Sequence, residues 1–508
     1  MQKIITSVWL GPLISGILTF TAMCEINFLC SWVCYIPLFI SIERASVKTA
    51  FYKGAIFGAV IAGMAFFWMI RGAERFTGYN ILYGLLVMLL SLIFLSLYHA
   101  CLTACFALLK TGKKKVYAVF VNAVVIASII CTGEWLLMFI STSLPWFDEH
   151  SGSGLAENLY SIQPASVFGI HVLSFFVVVV NFTATFFIIH KKYHKLYIPV
   201  AICLGYISTG FILLQTFAIA VNSKPFNVAI LAENIPPEVS WDENNGNALA
   251  QSLVDLNSTA ARSNPNIILW SESGIPWAYS KDDALIKEVL HVTSPTQATH
   301  VMGINTAYAE KVVFNSAYCI LPGGTAASRY DKQHLLALIE QPLFGLHIPF
   351  ISSSGYIAKT GTAHAAPLNT PYGKAGILLC NESALPTAAA DMVRQGAGYI
   401  FNMSNDGWFN DSYIVRDHYF TARLRAVESR KDLVINSNNG YSGLIKASGE
   451  IILMERSTSP FVETVTVQPN ICRTLATNCP VLFIYGCVMY LLAVSSFKLY
   501  KKMHAVKQ

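Results

Sequence analysis

The placing of apolar runs along this chain limits its possible folds more than any other feature. Seven runs precede Lys224, at residues 8–23, 28–42, 54–70, 81–109, 116–140, 168–189 and 196–221. An eighth covers residues 480–499. A helix needs about 20 apolar residues to cross a bilayer. The first two runs are short for that, and their flanks at residues 4–7 and at Ala45 extend them. No comparable run occurs between Lys224 and Asn478. The expected layout is therefore a seven-helix membrane domain over 1–221, a water-soluble domain over 222–478, and a last span with a basic tail over 479–508. A composition that is 54% hydrophobic and 13% charged agrees with it.

Charge orients the spans. With Met1 on the cytoplasmic side, the inside segments carry 15 lysines and arginines, from Lys3 to Lys507. The short outside loops carry two, Arg71 and Arg75. That is the positive-inside pattern. It puts both termini in the cytoplasm and the soluble domain across the membrane. Arg71 and Arg75 are either contacts for lipid headgroups or ordinary interfacial residues. The net charge of +6 is topogenic, because residues 222–478 hold 18 basic against 22 acidic residues. A nucleic-acid partner would need a clustered basic face, and none is seen. The 12 cysteines contain no Cys-x-x-Cys pair and no Cys/His cluster, so neither a metal nor a cofactor is expected. Cys472 and Cys479 are the candidate disulfide pair if their compartment is oxidising.

Within the soluble domain, β-rich runs fall at 226–234, 266–273, 300–308, 312–321, 375–383, 399–407, 432–440 and 463–469. They are apolar and β-branched rather than strictly alternating, as in strands covered by packing. Helical spacing appears at 247–263, through Leu249, Leu253 and Leu256, and at 417–432, which starts at a possible Asp417 cap. Strands alternating with helices imply an α/β, layered domain. Residues 351–366 read as an exposed loop.

Three polar residues sit where these runs end or loops begin. Glu272 follows "NIILW", Lys332 lies in "YDKQHLLALIE", and Cys380 follows "GILL". Singly, each has an ordinary explanation: a turn glutamate, a surface ion pair with Asp331, a buried thiol. Together they match one chemistry. A cysteine attacks a carbonyl as thiolate. A carboxylate can take its proton. An ammonium can stabilise the thiolate and then the oxyanion.

In this order and with these flanks, the three resemble the Glu-Lys-Cys triad of the nitrilase superfamily, which implies an αββα sandwich. Within that superfamily the chain resembles the apolipoprotein N-acyltransferases. The shared motifs are "ENIPPEVSW" with Trp241, "WSESGIPW", "FNSAYCI" with Asn315, Glu340 eight residues after Lys332, "LCNESALP", "SNDGWF" with Trp408, "ARLRAVESRKDLVINSNNG", and "TSLPW" with Trp146 in an outside loop. Two departures flank the reaction centre. Asn381 stands where the family usually has tyrosine, and Leu336-Ala337-Leu338-Ile339 replaces a Val-Pro-Phe-Gly run.

The resemblance implies ping-pong acyl transfer in a bacterial inner membrane, with a periplasmic active site. Cys380 would take an acyl chain from a phospholipid, with phosphatidylethanolamine the expected donor. The α-amine of a diacylglyceryl-cysteine apolipoprotein would then accept it. Glu272 would be general base and Lys332 the oxyanion stabiliser. Glu340, Glu382 and Asn381 would support the site. Trp241, Asn315, Trp408, Trp146 and Phe344 would contact substrate. "QPLFGLHIPF", with Phe344 and Leu346, is expected to pack on the domain or to form a lip that admits acyl chains. A membrane-tethered amidohydrolase and a non-catalytic homologue are the alternatives, the second favoured by Asn381.

Overall fold

The computed structural model describes residues 9–70, 72, 81–111, 116–218, 224–236, 239, 241–337, 340–341, 357–361, 366–409 and 412–505. Arg71, Arg75, Phe344, Leu346, the Leu338-Ile339 pair and most of the 351–366 loop lie outside them.

Among the described residues, five helices are long and apolar enough to cross a membrane: Ile81–Leu109, Tyr117–Ile140, Ile170–Ile189, Tyr193–Thr216 and Leu482–His504. Two further apolar helices, Leu10–Met23 and Val47–Ala65, pack among them. Val47–Ala65 starts seven residues before the expected run, because Ser46 caps it by accepting a hydrogen bond from the Thr49 N–H. Gly54 and Gly58 let it touch Ile81–Leu109. A Cβ at these positions would lie 2.5 Å from His99 O and 2.4 Å from Leu95 O.

The second expected run is not one helix. It forms Phe28–Ser31 and Ile36–Ile42, separated by a turn. A break among apolar helices leaves backbone groups that no water can satisfy. Buried Asn181 meets that need from Ile170–Ile189. Its Oδ1 accepts the Tyr35 N–H at 2.9 Å, and its Nδ2 donates to Ser31 O at 2.9 Å.

From Phe226 onward, fifteen strands lie among the described residues. They are β1 (Phe226–Ala232), β2 (Ile267–Leu269), β3 (Ile275–Ala278), β4 (Thr299–Ala309), β5 (Val312–Phe314), β6 (Ser316–Ile320), β7 (Ala326–Asp331) and β8 (Ile357–Ala358). They continue as β9 (Leu368–Thr370), β10 (Gly373–Leu379), β11 (Tyr399–Asn405), β12 (Leu433–Asn438), β13 (Tyr441–Ile445), β14 (Ile451–Arg456) and β15 (Phe461–Val467). One sheet runs β15, β1, β2, β4. Its β6 and β7 continue from one half of β4, and β3, β5 and β8 attach at the other. The second sheet runs β14-β13-β12-β11-β10-β9.

Alternation explains why β1 reads as unbroken apolar sequence. Val228 and Ile230 face the second sheet, in a core with Ile377, Leu379, Phe401 and Met403. Ala229 and Leu231 face outward, against Leu253 and Val289 of helices Gly246–Arg262 and Ala284–Thr293. On the far side, Leu378, Ile400 and Ile435 pack on helices Pro386–Arg394 and Ile414–Ser429. The result is an αββα sandwich.

Helix Ile414–Ser429 also joins the two halves of the molecule. Tyr419, Ala422 and Ala426 face the sheet, while Phe420, Leu424 and Val427 enter the core of the apolar helices. It begins three residues before Asp417, so that residue is a half-buried first-turn group rather than the cap. Buried Arg423 donates to Ala156 O at 2.7 Å and Glu157 O at 2.9 Å, across the junction. No disulfide joins Cys472 and Cys479, which flank the short helix Leu475–Asn478.

Candidate active site

Strands β10, β11 and β12 run parallel, and so do β1 and β2. The polar residues of the site follow their carboxyl ends, where side chains and loops are not consumed by the ladder. Cys380 ends β10 and begins a tight 3-10 turn, Cys380–Ala384. Its φ of 49° is left-handed. A non-glycine residue there costs about 1–3 kcal/mol, which surrounding contacts must offset. Those contacts are present: the Cys380 carbonyl accepts from Ser383 Oγ at 3.0 Å and from His418 Nε2 at 3.1 Å. Pro386 then opens helix Pro386–Arg394, where its missing N–H costs nothing.

Glu272 lies just past β2 and Lys332 just past β7. Lys332 Nζ donates to Glu272 Oε1 at 2.9 Å and to Glu340 Oε1 at 3.1 Å. Asn315 Nδ2 bridges the same two carboxylates, at 2.8 Å each. The Lys332 side chain is 2% exposed. Burial opposes its charge, but Glu272 and Glu340 overcome this and hold the ammonium well above the usual lysine range. Among the described residues both hydrogen bonds to Glu272 fall on Oε1, so Oε2 keeps its lone pairs for a proton. Glu340 is fixed by its own turn, accepting the Leu336 N–H at 2.7 Å.

Cys380 shares a cavity of about 400 Å³ with Glu272, Lys332, Glu340 and Asn315. Burial pushes its thiol well above the ordinary range; Glu272 adds to this and Lys332 opposes it. The protonated thiol is therefore favoured, and forming a thiolate needs a base close by.

Glu382 does not reach this cavity. It is a fully buried clamp that accepts from the Leu379 N–H at 2.8 Å, the Gln333 N–H at 2.7 Å and Tyr330 Oη at 2.8 Å. It ties the nucleophile turn to the Lys332 loop. Asn381 assists, donating from Nδ2 to His334 O at 3.0 Å.

The expected substrate contacts divide. Trp241 and Trp408 line the 400 Å³ cavity, Trp241 set edge-on to Trp277 at 5.2 Å. Trp146 lies in a second cavity of about 90 Å³, which Cys380 also lines. Met23, Cys24 and Ala65 of the apolar helices form part of that wall. Asn315 lines the first cavity, but its amide protons are spent on the two glutamates.

Sequence reasoning missed His418 and Glu233. His418 contacts two acceptors, the Cys380 carbonyl through Nε2 and Asp406 Oδ1 through Nδ1 at 2.9 Å, so both ring nitrogens must carry protons. Burial disfavours that charge, and Asp406 outweighs burial and raises the imidazole above its ordinary value. Glu233 lines the large cavity, and burial lifts its carboxyl to about 7. Neither stands at a spacing that signals catalysis; Glu233 follows β1, and His418 reaches the Cys380 turn from helix Ile414–Ser429.

An αββα sandwich docked on apolar helices, with thiol, carboxylate and ammonium at its strand ends, defines a membrane-bound carbon-nitrogen hydrolase-type protein. Residues 227–475 match the carbon-nitrogen hydrolase family model, and residues 15–183 match the apolipoprotein N-acyltransferase N-terminal domain. Apolipoprotein N-acyltransferase from Geobacter metallireducens is 25% identical over 83% of this chain and 81% of its own. The one from Haemophilus ducreyi is 25% identical over 84% and 83%. A carbon-nitrogen hydrolase from Helicobacter pylori G27 superposes on 51% of this chain and 94% of its own, at 15% identity and TM-score 0.37. The chain belongs to the apolipoprotein N-acyltransferase family, the acyltransferases of lipoprotein maturation.

Proposed function

We propose that Cys380 carries the acyl group as a thioester between a phospholipid and the α-amine of a diacylglyceryl-cysteine apolipoprotein. In the first half, Glu272 takes the Sγ proton as sulfur attacks the lipid ester carbonyl. The oxyanion develops beside Lys332. Its collapse breaks the ester C–O bond, and Glu272 returns the proton to the departing lysophospholipid alkoxide. In the second half, the neutral amine attacks the thioester carbonyl and gives a proton to Glu272. The C–S bond breaks, and the thiolate is reprotonated. Each half leaves Glu272 as it began.

The observation that carries this reading is the shared cavity of Glu272, Lys332 and Cys380, whose thiol also lines the pocket walled by the apolar helices. A lipid donor, phosphatidylethanolamine by choice, approaches from that side. The lysine-rich segments favour cytoplasmic termini and a periplasmic catalytic domain in a bacterial inner membrane. Glu340 and Glu382 serve as positioning residues, and Trp241 and Trp408 as walls for the incoming substrate.

The test is intact-mass analysis of the purified chain in detergent with phosphatidylethanolamine. The expected result is a hydroxylamine-sensitive acyl adduct in wild type and none in Cys380→Ala, passed on when a diacylglyceryl-cysteine peptide is added. A correctly folded wild type that never forms the adduct would overturn the proposal. Release of the acyl group to water alone would make the chain a hydrolase.

A further inference from the structure

A second group of chemistry-bearing side chains reaches the wall of the 90 Å³ cavity that Cys380 also lines, and no step above uses it. Glu134 comes from helix Val116–Ile140, His150 from the connection after it, and His171 from helix Ile170–Ile189. They are 3%, 7% and 3% exposed. Glu134 Oε2 is 3.5 Å from His150 Nδ1 and 3.8 Å from His171 Nδ1. The three atoms lie within 4.8 Å of one another. Each is buried, and none makes a hydrogen bond. Three buried polar atoms held only by these long contacts are poorly satisfied, which is costly in an apolar interior.

From this we infer that Glu134, His150 and His171 bind a divalent transition metal, with Zn²⁺ the natural occupant of an N₂O donor set. Tetrahedral zinc holds its donor atoms about 3.3 Å apart, so the glutamate–histidine distances would close by a few tenths of an ångström and the two rings, within 4.8 Å of each other, by up to about 1.5 Å. The surroundings already direct the donors. Glu134 Oε1 is held by the Ser151 N–H at 2.8 Å and by Ser151 Oγ at 2.6 Å, which leaves Oε2 for the ion. Asp148 Oδ1 stands 3.1 Å from His150 Nε2. With an ion bound, a carboxylate in that place would hold the ring proton on Nε2 and free Nδ1 for the metal, as in carboxylate–histidine–metal arrangements. A cavity of about 20 Å³ lined by Glu134, Glu149 and Ser151 has room for about one water on the glutamate side of the group.

The ion would clamp the connection between the two helices. That connection carries Trp146, and Ser143 within it accepts the Ala337 N–H at 2.8 Å, close to the Lys332 loop. The site is thus a structural rivet in the wall of the 90 Å³ cavity, and its residues take no part in the acyl-transfer steps.

The experiment is a Co²⁺ titration of the full-length chain in detergent, carried on a tag free of histidine and stripped first with a chelator. Expected are the visible bands of tetrahedral Co²⁺, saturating at one equivalent and bleached by Zn²⁺. His171→Ala and Glu134→Gln should abolish the bands. Asp148→Asn should weaken Co²⁺ binding about 10- to 100-fold. His99→Gln, which removes a histidine paired with Glu149 instead, should keep them. Wild type that shows no saturable bands would refute the site, whatever the variants do. So would His171→Ala binding as wild type does; the cluster would then be a proton-sharing glutamate–histidine network.

Discussion

Replacing Lys332 by methionine tests the electrostatic centre of the site. The ammonium sits 2.9 Å from Glu272 and 3.0 Å from Glu340, with side chains 2%, 7% and 14% exposed. At an effective dielectric of about 20, each pair attracts by roughly 5 kcal/mol, much of which offsets the cost of burying three charges. The variant keeps that cost without the attraction. Two buried carboxylates are left sharing the amide of Asn315. Removing one partner from such a group destabilises by about 3–5 kcal/mol. Uptake of a proton relieves the pair, so the loss is larger at pH 8 than at pH 5.5. In wild type stability also falls as pH rises, but only at much higher pH. The Lys332 value is raised on folding, so its contribution is complete below the unfolded lysine value of about 10.4 and is lost as pH rises beyond it. Thermal melts of both proteins across pH read the first effect. Intact-mass kinetics read the second, a fall of about 10²–10³ in acyl-enzyme formation on removing the oxyanion stabiliser. A variant that melts like wild type at pH 8, or acylates at the wild-type rate, would refute the reasoning.

Four further outcomes are expected. Glu272→Gln should lower lipid acylation by about 10²–10⁴ and yet speed iodoacetamide labelling of Cys380 at pH 9, because Glu272 helps to hold the thiol up; slower labelling would count against its place beside the sulfur. Glu382→Gln turns one acceptor into a donor against backbone N–H groups and should cost about 1.5–3 kcal/mol, read in the melting midpoint. His418→Leu strands buried Asp406 with Ser404 as its remaining hydrogen-bond partner and should destabilise by about 3 kcal/mol; the wild-type contribution is present below pH about 6.5 and fades as pH rises through the higher folded value. Asn381→Ala frees the His334 carbonyl and should cost about 1 kcal/mol, while Asn381→Tyr should fill the 90 Å³ cavity and slow long-chain donors more than short ones.

The division into apolar helices and an α/β domain was legible in the chain, because run length and β-branched clustering are local properties. Glu272, Lys332, Glu340 and Cys380 were legible for a related reason: each follows a strand or turn whose sequence is distinctive, and their order survives any folding. The division of labour among them was not. Glu382 and Asn315 are unremarkable polar residues in sequence, and only the approach of the two sheets' loops makes one a backbone clamp and the other a bridge between carboxylates. The interrupted second helix was equally hidden. Its break depends on Asn181, some 146 positions from Tyr35, reaching across to satisfy the freed backbone. His418 and the Glu134–His150–His171 group belong to the same class. Their spacing along the chain matches no motif, since each arrives on a separate element. Local sequence thus determined which segments are long and apolar enough to cross a membrane and which residue types end the strands. Tertiary packing decided which of those polar atoms meet, because burial leaves a charge or lone pair no partner except the one the fold brings.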